Sequence, residues 1–249
     1  MNAKFEYLLR MGDNALVLGQ RLAEWLGHAP VLEEDIASAN ISLDLVGQAR
    51  LWLTYAGAVE GAGRDEDRLA YHREQEQFRN FTMLELPNDD YAFTIVRRFL
   101  FDAWHGLALE SLARSKDPDV AAIAAKSKKE ADYHLRHSAD WLLRLGDGTK
   151  ESHARTQAAL DTLWRYSAEF FEGDAVDQAM AQSGEGFAAE SLRDAWLEEV
   201  GRLLKEATLV LPPAAKFVSR GKEGQHSEHL GYLLAEMQVL QRAHPGATW

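Results

Sequence analysis

Apolar residues recur along most of this chain at intervals of three and four, the spacing that lines one face of an α-helix, and no stretch shows the strict alternation of a half-buried strand. Six prolines, at 30, 87, 118, 212, 213 and 245, divide the pattern into long segments. The spacing predicts a first helix over Ala3 to Leu26, ending at Gly27. A second follows Pro30 and carries Glu33, Glu34 and Asp35 in its first turn, where carboxylates meet the positive end of the helix dipole. A third spans Tyr91 to Arg114. A fourth runs from Pro118, suited to a first helical position, to Leu145, with Gly146 as its C-terminal cap. These four make a bundle. Beyond the Gly146-Asp147-Gly148 turn, further helices are predicted near Arg155 to Glu172, Glu190 to Ala207 and Leu230 to His244, with no internal repeat.

The second helix differs from the others. At 100° per residue Ile36, Ala39, Leu43, Val46 and Leu53 fall on one side, and Ile41, Leu45 and Trp52 on the other. A helix apolar on two faces is either central in its own domain or held between its core and a partner. Asn40, Asp44 and Gln48 form a polar stripe between those faces, which reads either as structural hydrogen bonding or as the lining of a ligand cleft. On the fourth helix Ala124, Ala131, Leu135, Ser138, Leu142 and Leu145 form the inward stripe with His134 at its flank, while Asp132, Arg136 and Asp140 form a solvated charge ladder.

Composition narrows the chemistry. Apolar residues make up 46% of the 249 and charged residues 27%, enough apolar surface for one sizeable core, so residues 1–249 are read as a single domain. Asp plus Glu number 39 against 27 Lys plus Arg, a formal charge of −12. With no basic run to track a phosphate backbone, nucleic acid is excluded as a partner. The absence of cysteine removes disulfides, thiolate metal sites and thiol nucleophiles together. Neither a basic leader nor an apolar run long enough to span a bilayer is present, which points to the cytoplasm and away from a membrane.

Bundles of the ferritin-like kind build a di-iron centre from one Glu on each of two helices and a Glu-x-x-His pair on each of the other two. No Glu-x-x-His falls on a predicted helix. Asp102-Ala103-Trp104-His105 is the nearest match there, and Glu223-Gly224-Gln225-His226 lies beside glycines in a predicted loop, where it reads as coincidence. His134 reads as a buried histidine satisfied by a neighbour. There is no nucleophile elbow, phosphate-binding glycine loop or dinucleotide fingerprint. An independent enzyme is not supported.

Several strings together carry a specific likeness: Arg21 to Pro30 (RLAEWLGHAP), Asn40 to Arg50 (NISLDLVGQAR), Asp102 to His105 (DAWH), Lys129 to Arg136 (KEADYHLR) and the C-terminal Glu228-His229-Leu230-Gly231. The chain resembles the structural C subunits of bacterial phenylacetyl-CoA epoxidase complexes over nearly its whole length. The resemblance implies an all-α, ferritin-like four-helix bundle with additional C-terminal helices. In that family the A subunit shares this fold and carries the di-iron centre that epoxidises the aromatic ring, and the C subunit pairs with it. Against the catalytic relative, the two Glu-x-x-His pairs fall on Leu45 and Gln48 and on Ala131 and His134. Three of the four ligands are therefore replaced, two of them by side chains with no donor atom. No metal, no cofactor and no catalytic residue is expected in this chain, with di-iron in the partner.

The likeness also implies where phenylacetyl-CoA, or another CoA ester, touches this chain. The segment Gln77-Phe78-Arg79-Asn80 matches a family stretch associated with substrate, joined by Gln178-Ala179-Met180. Arg79 suits a phosphate or carbonyl oxygen and Phe78 an acyl or adenine surface, against the plainer reading of an exposed polar helix end. Arg220-Gly221-Lys222 is a small basic loop suited to a 3′-phosphate, opposed by the adjacent Glu223; a solvated loop is its plainer reading. The expected partner is the catalytic A subunit, with a homodimer when the chain is alone. A free-standing acyl-CoA-binding scaffold and a di-metal oxidoreductase with an atypical site are the alternatives.

Overall fold

The computed structural model describes residues 2–214 and 218–247. Among them ten α-helices form: α1 (Ala3–Glu24), α2 (Leu32–Glu60), α3 (Glu66–Tyr71), α4 (Thr82–Glu85), α5 (Tyr91–Leu112), α6 (Pro118–Gly146), α7 (Lys150–Trp164), α8 (Ala175–Ser183), α9 (Arg193–Glu206) and α10 (Glu228–Ala243). No sheet forms among the described residues; an isolated bridge joins Arg220 to Gln225. The fold is all-α, as the spacing predicts. The chain divides into two compact units, one of Met1–Pro87 with Ser219–Trp249, the other of Asn88–Val218.

The first unit is built on the α1–α2 hairpin. Asn2 caps α1, its side chain accepting from the backbone N–H groups of Lys4 and Phe5. From Glu6 to Leu18 every residue of α1 is buried, polar ones included. The α2 face carrying Ile41, Leu45 and Trp52 packs inward, Leu53 is buried although the spacing puts it on the opposite side, and Ser42 donates to the Gly19 carbonyl at 2.8 Å. Gly57 admits the backbone after α2: a Cβ there would stand 2.1 Å from the Arg64 carbonyl oxygen, so any larger residue displaces that crossing. The predicted polar stripe does not act as one surface, since Asn40 is exposed, Asp44 half-buried and Gln48 buried. Steps of four residues drift by about 40° around a helix and carry it from solvent into the core.

Burial of α1 forces its charges to find partners. Asp13 is fully buried and accepts from both terminal nitrogens of Arg73, itself buried, and from the Arg79 backbone N–H at 2.8 Å. The Arg73 guanidinium lies 4.2 Å from the Phe78 ring centre and also donates to the Gln77 carbonyl at 2.9 Å. α10 closes over this segment, Gln238 donating to the Ala70 and Arg73 carbonyls at 3.1 Å each.

The second unit is built on α5 and α6, capped by Asp90 and Asp117, with Pro118 in the first turn of α6. Nearly all of α5 is buried. On α6 the buried line runs Ala124, Ser127, Ala131, His134, Ser138 and Leu142, so His134 sits in its centre and not at its flank, while Leu135 and Leu145 move to its edges. Asp132, Arg136 and Asp140 are exposed as expected, with Lys128 as the partner of Asp132.

The helices after α6 depart from the apolar spacing at their ends. Thr149, through a capping box with Ser152, starts α7 before Arg155, and the chain tightens into a 3₁₀ turn at Ser167–Phe171 instead of continuing to Glu172. That turn delivers Phe170 and Phe171 to Trp196, whose indole donates to the Leu100 carbonyl at 3.0 Å. Helix α8 has no counterpart in the apolar spacing: its start is set by an Asp174–Asp177 capping box and its end by left-handed Gly184. Trp52, Trp104, Trp164 and Trp196 are buried.

Asp13→Ala leaves the Arg73 guanidinium buried and uncompensated, so chemical denaturation should show a loss of about 3–5 kcal/mol. A loss below about 1 kcal/mol would mean that water reaches Arg73 freely.

Candidate functional site

Helix α5 places Arg98, Asp102 and His105 on one buried line at i, i+4 and i+7, and α6 contributes Ser127, His134 and Ser138 to the same unit. Ser138 Oγ donates to Asp102 Oδ2 at 2.8 Å, Arg98 lies 3.6 Å from the same oxygen, and Arg98 also donates to the His134 carbonyl at 3.4 Å. His105 stacks on Phe101 with ring centres 5.0 Å apart. Burial pushes the Asp102 carboxyl up to about 6, opposed by the Arg98 charge and the Ser138 hydrogen bond. Burial pushes His105 down to about 3, with His134 and Lys128 acting in the same sense, and His134 down to about 3, helped by Arg98 and His137. Both imidazoles are therefore neutral at pH 7. The Asp-x-x-His motif of the sequence is thus one side of a structural polar seam: its carboxylate binds Arg98 and Ser138, and its imidazole is stacked on an aromatic ring.

At the positions where the resemblance places metal ligands, the side chains lack the donors that a di-metal centre needs. Leu45 and Ala131 are buried and offer no donor atom, and Gln48 has only an amide. Among the described residues no three His, Asp or Glu side chains converge as a metal-ligating group.

A second cluster, in the first unit, joins two strings that are far apart in sequence. Gln77 is exposed and its side-chain oxygen caps the Glu74 N–H at 2.8 Å. Phe78 and Asn80 are buried; Asn80 donates to Glu85 at 3.0 Å. Arg79 is half-buried, held to Glu6 at 2.7 Å and to the Glu76 and Phe78 carbonyls at 2.7 and 2.8 Å. The 219–227 segment lies directly against them. A Cβ on Gly221 would stand 2.4 Å from the Asn80 carbonyl oxygen, and one on Gly224 would stand 3.0 Å from an Arg79 terminal nitrogen. Arg220 is exposed, 3.8 Å from Glu223, whereas Lys222 is buried. Gln77–Asn80 and Arg220–Lys222 are therefore adjacent, with Gln77 and Arg220 reaching the surface, Arg79 half-buried and the other residues buried. Gln178, Ala179 and Met180 lie on α8 in the other unit, the first two exposed and Met180 buried with its carbonyl accepting from Glu185 and Gly186.

His226 pins this region. Its Nδ1 is 2.8 Å from Glu85 Oε2 and its Nε2 is 3.0 Å from the Phe78 carbonyl oxygen, with the His226 and Glu85 side chains fully buried. A carbonyl only accepts, so Nε2 carries a proton, and a carboxylate beside Nδ1 holds a second. Burial opposes the charge, yet the hydrogen bond and charge of Glu85 outweigh it and raise His226 above its usual value. The Glu223-to-His226 pair is thus no metal motif: His226 belongs to Glu85. Spacing along the chain carries no signal for a partner 141 residues away.

Long helix hairpins and a buried polar seam between α5 and α6, with no sheet among the described residues, define a ferritin-like helical bundle. The chain belongs to the Phenylacetic acid catabolic protein family, whose match spans residues 1–249. It is 51% identical, over the full length of both chains, to the Escherichia coli (strain K12) protein named as the C subunit of 1,2-phenylacetyl-CoA epoxidase. No described helix is long and apolar enough to cross a membrane.

The seam sets an acid dependence. Below pH 6.5 the unfolded chain protonates both histidines, while the folded chain does so only near pH 3; Asp102 works oppositely, protonated in the fold below about 6 and in the unfolded chain below 3.8. Between these limits the unfolded state binds more protons than the fold at these three groups, so the contribution of the seam to stability falls as pH drops from 6 to 4. His105→Phe removes one of those protons and should flatten the profile of unfolding free energy in that range. An unchanged slope would place the acid sensitivity elsewhere. His226 has the opposite sign: its contribution is complete below pH 6.5 and is lost as pH rises through its raised folded value.

Proposed function

We propose that this chain is a non-catalytic subunit of a phenylacetyl-CoA ring epoxidase, pairing with and stabilising a di-iron catalytic subunit of the same fold in the cytoplasm. The observation that carries the reading is the full-length likeness to a protein named as the C subunit of such an epoxidase, joined to donor-free side chains, Leu45 and Ala131, where a catalytic relative needs carboxylates. Iron without those oxygens has no complete coordination sphere here, so oxygen chemistry belongs to the partner. This chain's part is positional: its buried helix hairpins give a rigid surface against which the partner's helices hold the productive arrangement.

The region of Gln77–Asn80 and Arg220–Lys222 supports a contribution to CoA-ester binding, because one polyanionic group resting there meets both segments. Arg220 is the cation best placed for it, since Arg79 is already satisfied by Glu6 and two carbonyls.

Co-expression with the catalytic relative should yield a heteromer that buries on the order of 2,000 Å² or more. Iron should be found with the partner, and the purified chain alone should hold only trace iron and show no turnover. Stoichiometric iron in this chain alone, or no association with the catalytic relative, contradicts the proposal. In calorimetric titration of the complex, Arg220→Ala should weaken CoA-ester binding about tenfold, a change of about 1.4 kcal/mol.

A further inference from the structure

Residues 219–227 read Ser-Arg-Gly-Lys-Glu-Gly-Gln-His-Ser, a stretch with no apolar side chain. Beyond the stem of buried Lys222, apolar burial gives this loop little hold on its unit, and polar contacts must supply the rest. Its internal bonds are local. The Glu223 and Gln225 N–H groups donate to the Arg220 carbonyl at 3.0 and 3.1 Å, and the Gly224 N–H to the Gly221 carbonyl at 2.8 Å, so the loop is one folded turn. Outward, the Gly221 N–H donates to Thr82 Oγ1 at 3.2 Å, the Ser227 N–H to Glu85, and Gln75 to the Ser227 carbonyl at 3.0 Å. The neighbouring helices are held separately. α10 is anchored by buried Leu230, Leu233 and Leu234 and by Gln238, and Arg21 of α1 donates to the Glu85 carbonyl at 2.6 and 3.1 Å.

His226 brings to this set a group whose charge changes near neutral pH. Its Nδ1 faces Glu85 Oε2 and its Nε2 the Phe78 carbonyl oxygen, and both oxygens accept. An imidazolium serves both. A neutral ring has one N–H, so either tautomer sets a bare nitrogen lone pair against an oxygen 2.8 or 3.0 Å away, with the side chain fully buried. Glu85 cannot turn aside without breaking its bonds to Asn80 and Ser227. We propose that His226 is a proton-operated clasp: with both ring nitrogens protonated it holds residues 219–227 on the Gln77–Asn80 segment, and loss of one proton releases that loop as a unit while the helices stay folded. The charged groups around it are Glu85 on α4, Asp13 on α1, Arg73 and Arg79 in the 72–80 segment, and Lys222 in the loop. Glu85 and Asp13 favour the second proton, Arg73 is bound to Asp13, and Arg79 is bound to Glu6. At the start of α10 Glu228 is exposed and His229 half-buried. Between the free-histidine value of 6.5 and the raised value of the closed loop, the closed state binds one proton more than the open one. Closure therefore weakens by up to about tenfold per pH unit across that window. Arg220 rides on this loop, so the proton decides whether that cation is held beside Gln77–Asn80. The inference concerns the chain alone and does not rest on the epoxidase reading.

NMR-detected amide exchange of the purified full-length chain, corrected for intrinsic exchange at each pH from about 6 to about 9, tests the clasp. The Gly221 and Ser227 amides, whose bonds cross to Thr82 and Glu85, should lose protection by up to about tenfold per pH unit above 6.5, while α1 and α10 keep theirs. His226→Gln, a neutral side chain, should leave these two amides as weakly protected near pH 6 as the parent's are near pH 9, with the pH dependence gone and the helical circular dichroism unchanged. His244→Gln, at the exposed end of α10, should keep the parent's profile. Constant protection of Gly221 and Ser227 across the range overturns the proposal, as does a loss shared equally by α1 and α10, which is global unfolding. A His226→Gln chain that keeps the parent's profile overturns it too. If that variant does not fold, the His226 ring resonances of the parent decide: a ring that loses its proton while Gly221 and Ser227 stay protected overturns the clasp, and a joint loss supports it.

Discussion

The carboxylates of Asp13, Glu85 and Asp102 lie deep in the protein, and a charge out of water must be met by donors from the protein itself. Much of the local architecture follows from meeting that requirement. Asp13 draws in Arg73 and the Arg79 backbone and so folds the 72–80 segment onto α1. Glu85 gathers Asn80, the Ser227 backbone and His226, which ties the chain just before α10 to α4. Asp102 holds Ser138 and Arg98, locking the register of α5 against α6. In each case a short stretch of irregular chain or a helix pair is positioned by a polar contact inside an otherwise apolar core. Such contacts add specificity where apolar packing by itself would tolerate neighbouring registers.

The buried seam of the second unit gives it a polar interior held by a hydrogen bond and an ion pair. The His105 imidazole is neutral and stacked on Phe101, and the Asp102 carboxylate is shared between Arg98 and Ser138. Leu45 and Ala131 are buried apolar side chains, each in its own unit. What is retained is a set of long rigid helices, and rigid helices are good surfaces for other chains.

The cluster around Gln77–Asn80 and Arg220–Lys222 illustrates how one network constrains another. His226, clamped by Glu85 and the Phe78 carbonyl, fixes the loop that presents Arg220, while Arg79 is drawn inward by Glu6. The guanidinium that the resemblance singled out is thereby a structural group, and the exposed cation of the region is Arg220.

Residue spacing alone determined the class of the fold. Intervals of three and four, the prolines, and caps such as Asp117–Pro118 act within a few residues of one another, so α1, α5, α6 and the start of α2 were legible to within a turn. The two apolar faces of α2 were equally legible, because helical periodicity is a local property; which face is buried was not, since burial depends on what the rest of the chain covers. Helix α8 and the start of α7 escaped because a capping box, and not an apolar stripe, defines them. That Leu45, Gln48 and Ala131 stand where the resemblance places ligands was visible in their residue types. The apolar spacing of α6 puts His134 at the flank, and only packing against α5 brings it to the centre. The tertiary structure alone decided that His226 belongs to Glu85, that Asp13 belongs to Arg73, and that Gln77–Asn80 meets Arg220–Lys222. Those pairings link residues tens to more than a hundred positions apart, and they exist because buried charges must find partners wherever the fold brings them, which no local pattern encodes.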